Sequence, residues 1–174
     1  MDAIGVLKEL LTSADPILIV IAGPNGAGKT TFFETSLEHQ LRVPFVNADR
    51  IARTLPKKHD APSRDKVAFE AAKLMREQLL ASRVSFCVET VFSDPVGDKL
   101  RYFRKAQAAG YTVSMIFIGL ASAELSARRV KQRVADGGHD VPADRIRDRY
   151  PRVMANVANA LSFLDQVIVL DNSE

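Results

Sequence analysis

A run of residues near the start of the chain has the types and spacing of a phosphate-binding loop. It fits the pattern G-x-x-x-x-G-K-[ST] at every fixed position. Its residues are Gly23, Pro24, Asn25, Gly26, Ala27, Gly28, Lys29 and Thr30, with Thr31 directly after them. Glycines let backbone N–H groups turn inward around phosphate oxygens, Lys29 can reach the β- and γ-phosphates, and the Thr30 hydroxyl can ligate Mg²⁺. The pattern predicts that this loop binds a nucleoside triphosphate, ATP or GTP, together with Mg²⁺.

The flanking sequence supplies the two elements that such a loop needs. The apolar run 17–22 has strand length and strand composition and comes directly before the loop. Residues 29–40 have the character of a helix, whose N-terminus would offer unpaired N–H groups and a favourable dipole to an anion. The loop is therefore expected to connect a buried strand to a helix.

Polar side chains also close two later strands of the predicted sheet. Asp49 ends the short strand 45–49, and Glu89 and Thr90 end the strand 84–90. Ligands of parallel sheets bind at the carboxyl ends of the strands. We therefore expect these side chains and the loop to surround one pocket, although they are distant in sequence.

The two carboxylates are candidates for handling the proton of an acceptor hydroxyl. A kinase needs a group that accepts this proton or orients the hydroxyl. Asp49 is the first candidate for that role and Glu89 is the second. Other roles stay open at this point: Asp49 could cap a short helix at 50–55, Glu89 could be a surface carboxylate, and either could ligate Mg²⁺.

The segment 124–152 has the composition of a lid over a triphosphate. Basic residues outnumber acidic ones in it, and a pair of glycines separates its two predicted helices. Arginines on a closing lid neutralise charge on the transferred phosphoryl group, and closure excludes water. Arg129 and Arg133 are favoured because they lie four residues apart on one helical face, and Arg149 comes third. Ordinary surface ion pairs at helical spacing are the competing explanation.

Strand and helix patterns alternate along the chain, which predicts one α/β domain over residues 1–174. The five predicted strands are 17–22, 45–49, 84–90, 111–119 and 166–170. This alternation favours a three-layer α/β/α P-loop NTPase fold of the kinase type, with a five-stranded, mainly parallel sheet and a helical lid.

The long predicted helix 63–82 carries an apolar stripe. Its members recur at helical spacing: Val67, Ala71, Leu74, Met75 and Leu79. Helices of globular proteins usually bury such a face. The stripe is therefore predicted to belong to the core.

The composition is that of an ordinary globular domain. The chain has 174 residues, of which 47% are hydrophobic and 26% are charged, and its formal net charge is +3. The single cysteine, Cys87, permits no disulfide within the chain and favours a cytoplasmic location. No apolar run approaches the ~18 residues that span a bilayer, so no membrane association is expected. The modest charge argues against a nucleic-acid partner.

Four stretches together resemble the zeta toxin family, and most closely its small bacterial branch. They are the loop 23–31, the Asn-Ala-Asp at 47–49, the Glu-Thr at 89–90 and the segment 129–142 with its Gly-Gly-His-x-Val-Pro motif. The loop is common to many nucleotide-binding proteins, whereas the last motif is quite specific. The resemblance covers most of residues 17–170.

The resemblance implies a P-loop kinase that transfers a phosphoryl group from ATP or GTP to a sugar-nucleotide hydroxyl, UDP-N-acetylglucosamine in the best-known members. It maps the family's catalytic aspartate to Asp49, its loop lysine to Lys29, and its substrate-contacting Glu and Thr to Glu89 and Thr90. Its lid arginines would fall among Arg129, Arg133 and Arg149. It also implies a small antitoxin partner that blocks the nucleotide pocket. Here the Glu and Thr are adjacent, whereas the longer toxins have an extra residue between them.

The resulting hypothesis is a cytoplasmic, Mg²⁺-dependent P-loop kinase that acts on a hydroxyl of a small acceptor. Three alternatives are an ATPase or switch in which water replaces the acceptor, a polynucleotide 5′-kinase, and a nucleotide-binding module without turnover. The sequence has no clear apolar strand that ends in an Asp-Glu pair, which argues against the first. It also has no interleaved basic and aromatic stretch, which argues against the second.

Overall fold

In the computed structural model, which describes residues 3–56, 60–138 and 140–174, five strands form one parallel sheet. The strands are β1 (Ile17–Ala22), β2 (Phe45–Val46), β3 (Phe86–Thr90), β4 (Thr112–Gly119) and β5 (Gln166–Asp171). They lie in the order β2-β3-β1-β4-β5, and every pair is parallel. The predicted α/β fold is confirmed.

Helices connect successive strands and cover both faces of the sheet. They are α1 (Ala3–Leu11), α2 (Lys29–Phe32), a π-helical segment (Phe33–Leu37), α3 (Glu38–Leu41), α4 (Ala48–Thr54), α5 (Ala61–Ala81), α6 (Asp98–Ala108), α7 (Ala123–Ala135) and α8 (Ala143–Leu161). Within the described ranges, no helix is long and apolar enough to cross a bilayer.

Strand β1 is the centre of the core. All of its side chains are fully buried, and they alternate between two apolar clusters on opposite faces of the sheet. Leu18, Val20 and Ala22 face one cluster, which includes Phe86, Phe103 and other residues on the side of α5, α6 and α8. The odd-numbered residues of the strand face the other cluster, on the side of α1, α2 and α3. Burial on both faces explains why the sequence of β1 is an unbroken apolar run.

Helix α5 buries a different face from the one predicted. Val67, Leu74 and Met75 are 55%, 70% and 43% exposed, so the prediction of a core stripe is wrong for them. The buried positions on this helix include Ala68 and Ala72. Because alanine side chains are short, this face allows the helix to lie close to its neighbours, and the larger apolar side chains are rotated toward the surface.

One buried tyrosine joins the end of α5 to the sheet. The Tyr111 hydroxyl lies 2.9 Å from the carbonyl oxygen of Leu79 and 3.0 Å from that of Val84, where it can donate to either. Its ring packs edge-on against Phe86, with the ring centroids 6.0 Å apart. This contact fixes the chain between α5 and β3.

We expect Tyr111→Phe to lower the free energy of unfolding by about 1–2 kcal/mol, because it removes the hydroxyl through which this buried residue bonds to the Leu79 and Val84 carbonyls. Urea denaturation at constant pH measures the change. Tyr102→Phe is the matched control, since the Tyr102 hydroxyl is only partly buried and donates a single longer bond of 3.2 Å to the Arg76 carbonyl. The control should lose less than about 0.5 kcal/mol. Equal losses in the two variants would contradict the assignment.

Candidate functional site

The phosphate-binding loop lies between β1 and α2, as the sequence predicts. Its path depends on two glycines. A Cβ at Gly23 would lie 2.2 Å from the Ile118 carbonyl oxygen on β4, and a Cβ at Gly26 would lie 3.0 Å from the Ser126 carbonyl oxygen on α7. Side chains at these positions would push the loop away from the sheet and from α7. The Ser126 hydroxyl also donates a hydrogen bond to the Asn25 carbonyl oxygen, so α7 is fastened to the loop.

Lys29 places a buried cation under this loop. The residue is 6% exposed, and its Nζ donates a hydrogen bond of 2.8 Å to the Pro24 carbonyl oxygen. The pKa of Lys29 is lowered from 10.5 to about 8, and burial is the largest cause. The positive charge of Arg133 also lowers it, whereas the negative charges of Glu89 and Asp49 raise it. A phosphate group in the loop would supply the counter-charge that the surroundings of this ammonium provide only in part.

The Glu89 carboxylate links the end of β3 to the phosphate-binding loop and to the start of α4. Its Oε2 accepts one hydrogen bond of 2.9 Å from the Thr30 hydroxyl and another of 2.7 Å from the Asn47 side-chain amide. The Asn47 Oδ1 in turn accepts a hydrogen bond of 3.0 Å from the Arg50 N–H and caps α4. Glu89 therefore holds the loop threonine and the start of α4 in fixed positions.

Sequence reasoning gave Asn47 no role of its own. The residue is 5% exposed, and both its amide nitrogen and its amide oxygen form hydrogen bonds in the network just described. A signal for it did exist, because asparagine directly before a helix is a favoured N-cap. That signal predicts the cap but not the second hydrogen bond, which depends on the pairing of β2 with β3.

A cleft of about 790 Å³ opens above the loop at the carboxyl edge of the sheet. Its lining residues from the loop are Asn25, Gly26, Gly28, Lys29, Thr30 and Thr31. From α7 and the turn after it come Arg129, Arg133, Asp136, Gly137 and Gly138. From the opposite flank come Asp49, Arg53, Arg64, Asp65, Glu89 and their neighbours. The structure thus brings the predicted Lys29, Thr30, Asp49, Glu89, Arg129 and Arg133 together around one cavity.

Other predicted residues lie elsewhere. Gly23, Pro24 and Ala27 shape the loop from behind without lining the cleft. The Thr90 hydroxyl accepts a hydrogen bond of 3.0 Å from the Phe92 N–H, so it shapes the chain after β3. Arg149 does not line the cleft; its charge instead helps to lower the pKa of Lys99, which burial lowers most. The role of Arg149 as a lid arginine stays a prediction, and His139 of the Gly-Gly-His motif lies outside the described residues.

Asp49 lies at the cleft in a helix, and the prediction that it ends a strand over 45–49 is wrong, because the strand is only Phe45–Val46. It lies in the first turn of α4, its side chain is exposed to the cleft, and its charge reaches Lys29. Among the residues that the structure describes, none forms a hydrogen bond or ion pair with its carboxylate. Both carboxylate oxygens are thus accessible to a substrate hydroxyl.

Arg129 and Arg133 approach the loop from α7. The Arg129 guanidinium donates a hydrogen bond of 2.6 Å to the Glu174 carbonyl oxygen, and the Arg133 charge acts on Lys29. Both side chains could neutralise phosphate charge on the α7 side of the loop. For Mg²⁺, the Thr30 hydroxyl and the Glu89 carboxylate offer the oxygen ligands that this cation prefers.

Comparison with known families and proteins gives a family match and one relative among curated sequences. The model of the zeta toxin family matches residues 2–174. A protein of Haemophilus influenzae, itself uncharacterised, is 24% identical over 132 residues, which make up 76% of this chain and 91% of that protein.

Two solved structures share the fold. A candidate kinase from Chloroflexus aurantiacus is 20% identical, with 91% of this chain and 86% of that chain covered and a TM-score of 0.63. A chain from the PezAT chromosomal toxin–antitoxin system of Streptococcus pneumoniae is 16% identical, with 99% and 79% covered and a TM-score of 0.70. The overall architecture is thus that of P-loop kinases.

The lowered pKa of Lys29 makes stability depend on pH. Between pH 8 and 10.5 the unfolded chain holds the Lys29 proton more tightly than the folded protein does. The free energy of unfolding of the nucleotide-free protein should therefore rise with pH through this window, relative to Lys29→Met, by on the order of 3 kcal/mol in total. Urea unfolding of both proteins at pH 7 and pH 10 measures it. A difference between the two proteins that stays constant with pH would refute the burial of a charged Lys29.

Proposed function

The chain belongs to the zeta toxin family, and on that premise we propose that it is a Mg²⁺-dependent P-loop kinase. It transfers the γ-phosphoryl group of ATP or GTP to a hydroxyl of a small acceptor. The observation that carries the proposal is the convergence of the Lys29 ammonium, the unengaged Asp49 carboxylate and the Glu89–Thr30 pair on one cleft. A phosphate cradle beside a carboxylate open to a hydroxyl is what phosphoryl transfer to an alcohol requires.

The loop and Lys29 bind the triphosphate. Backbone N–H groups of the loop surround the phosphate oxygens, and the Lys29 ammonium contacts the β- and γ-phosphates. The Thr30 hydroxyl donates a hydrogen bond to Glu89, which leaves its oxygen lone pairs directed away from that carboxylate and available to Mg²⁺. Mg²⁺ held there with the nucleotide would supply positive charge to the transferred group.

Asp49 accepts the proton of the acceptor hydroxyl. As the hydroxyl oxygen bonds to the γ-phosphorus, the bond from that phosphorus to the β–γ bridging oxygen breaks and the nucleoside diphosphate leaves. Arg129 and Arg133 stabilise the charge on the transferred phosphoryl group from the other flank. Glu89 and Thr90 help to position the acceptor. Thr90 does so indirectly, because its hydroxyl accepts a hydrogen bond from Phe92 in the chain after β3.

The family relationship supports a nucleotide sugar such as UDP-N-acetylglucosamine as the acceptor. The likeness to a chain of the pneumococcal toxin–antitoxin system supports a small antitoxin as protein partner. The segment 124–152 is proposed as a lid, in which the hydrogen bond from Ser126 to the Asn25 carbonyl holds the start of α7 on the loop. A cytoplasmic location agrees with the buried, unpaired Cys87.

To test the kinase, the purified protein is incubated with ATP, Mg²⁺ and a pool of nucleotide sugars, and mass spectrometry detects any species that gains one phosphoryl group. Asp49→Ala should reduce product formation by about 10²–10⁴-fold because the proton acceptor is lost. Binding of a fluorescent ATP analogue should remain.

Glu70→Ala is the matched control, because Glu70 is an exposed carboxylate on α5 that does not line the cleft. Its product yield should equal that of the unmodified protein. Formation of ADP in equal amounts by both the native protein and Asp49→Ala, with no phosphorylated acceptor, would overturn the role of Asp49 and favour an ATPase.

A further inference from the structure

Strand β5 lies at one edge of the sheet, and no strand of the described ranges pairs with its outer side. The Asn172 N–H, directly after β5, donates a hydrogen bond of 3.1 Å to the Gly119 carbonyl oxygen on β4. Because the backbone groups of successive residues in a strand alternate in direction, those of Val167, Val169 and Asp171 are directed away from β4. The outer side of β5 thus presents a row of donors and acceptors that matches another strand.

The two edges of the sheet differ in how they are protected from pairing. At the opposite edge, β2 consists of only two residues, Phe45–Val46, and a very short edge strand is one way in which proteins limit pairing. Strand β5 has six residues, Gln166–Asp171, and its four central residues are all apolar. It contains neither lysine nor proline, and its pairing with β4 continues without a bulge. Such an edge is a template for pairing with another chain.

An exposed apolar flank of α8 accompanies this edge. Met154, Ala158 and Leu161 are spaced i, i+4 and i+7, so they share one side of the helix, and all three are exposed. The exposed fractions of Met154 and Leu161 are 42% and 56%. On β5, Val169 is 60% exposed and shares a sheet face with Val167, which packs against the apolar cluster on the side of α8.

The hydrogen bonds of α8 show which way this flank faces. Asn156 donates bonds of 2.9 and 3.0 Å to carbonyl oxygens of the chain between β3 and α6, and Arg152 donates another to the same stretch. Strand β3 lies on the far side of β1 from β5, so this side of α8 is turned toward the middle of the sheet. At about 100° per residue, Met154 and Leu161 lie on the opposite side of the helix. They are therefore turned toward the free edge of β5.

We propose that this edge is the interface of a symmetric dimer, in which β5 pairs antiparallel with β5 of a second copy of the chain. A two-fold axis perpendicular to the sheet brings the strands together and keeps equivalent faces on the same side. The apolar flanks of the two α8 helices then meet above the junction, where Met154, Leu161 and Val169 form the core of the interface. The dimer goes beyond the proposed kinase function and does not depend on it.

The charges of β5 favour one register of this pairing. With the axis at Ile168, Asp165 would face Asp171 of the second copy, and like charges directly opposite each other destabilise a strand pair. With the axis at Val169, Ile168 faces Leu170 of the second copy and Val169 faces its own counterpart. No like charges are then opposed along the strand. Because the backbone groups of Val169 are directed outward, the two copies of this residue exchange hydrogen bonds.

The chain after β5 leaves this edge free and also leaves the cleft accessible in the dimer. The Asn172 amide donates a hydrogen bond of 3.1 Å to the Ala27 carbonyl oxygen, and Arg129 binds the Glu174 carbonyl oxygen, so the chain turns inward across the phosphate-binding loop. Antiparallel pairing points the carboxyl edges of the two sheets in opposite directions. The two clefts therefore lie at opposite ends of one continuous sheet and do not obstruct each other.

Size-exclusion chromatography with light scattering tests the dimer, on the full chain at about 1 to 100 μM. The unmodified protein should reach twice the mass of the chain. Val169→Lys should raise the dissociation constant of the dimer by at least about 100-fold, because two lysines would face each other at the axis. Val96→Lys is the matched control, since Val96 is 61% exposed and lies before α6, away from β5, and it should stay dimeric. Circular dichroism checks that both variants are folded.

Cross-linking tests the register without a charged substitution. The single cysteine of the sequence, Cys87, is buried, so an introduced surface cysteine is the accessible thiol. Val169→Cys should form covalent dimers with a short bismaleimide, whereas Val96→Cys should not. A monomeric mass at every concentration would overturn the proposal, as would a dimer that Val169→Lys leaves intact. Equal cross-linking of the two cysteine variants would also refute it, because the contact would then be non-specific.

Discussion

Strand β1 is covered on both faces and bordered by β3 and β4, and this position determines where the molecule can bind a ligand. Its last residue leads into Gly23, which packs so closely against β4 that no side chain would fit. The loop therefore leaves the sheet at the middle of its carboxyl edge. The neighbouring strands then position the other cleft residues: β3 carries Glu89 one residue before its end, β2 leads into the helix of Asp49, and β4 leads into the helix of Arg129.

Charge balance around the loop depends on a few direct contacts. Glu89 accepts two hydrogen bonds through one oxygen, from the Thr30 hydroxyl and the Asn47 amide, and its charge supports the protonated form of Lys29. Burial works against that form and is the larger effect. The cleft thus holds a cation that its surroundings stabilise only in part, which is the electrostatic property expected of a site for a highly charged anion.

Much of this arrangement could be predicted from the sequence because it follows from local patterns and one topological rule. The loop pattern, the apolar run of β1 and the Glu89 carboxylate near the end of β3 are local, and a parallel sheet brings strand ends to one edge. What could not be predicted depends on how helices pack. The buried face of α5 is set by alanines that approach their neighbours closely, and the position of Arg149 depends on the packing of α8 beside Lys99.

The bond from Lys29 to the Pro24 carbonyl has a consequence for the whole fold. In the nucleotide-free protein this loop holds its own lysine, at the cost of burying a cation without a full counter-charge. A bound triphosphate would pair with that lysine and relieve the cost. Because the ligand binds only the folded protein, it would also raise the free energy of unfolding by mass action, by about 2.7 kcal/mol at a concentration 100 times Kd. The amount of intact protein in a cell would then depend on the nucleotide supply, and a starved cell would retain less of it.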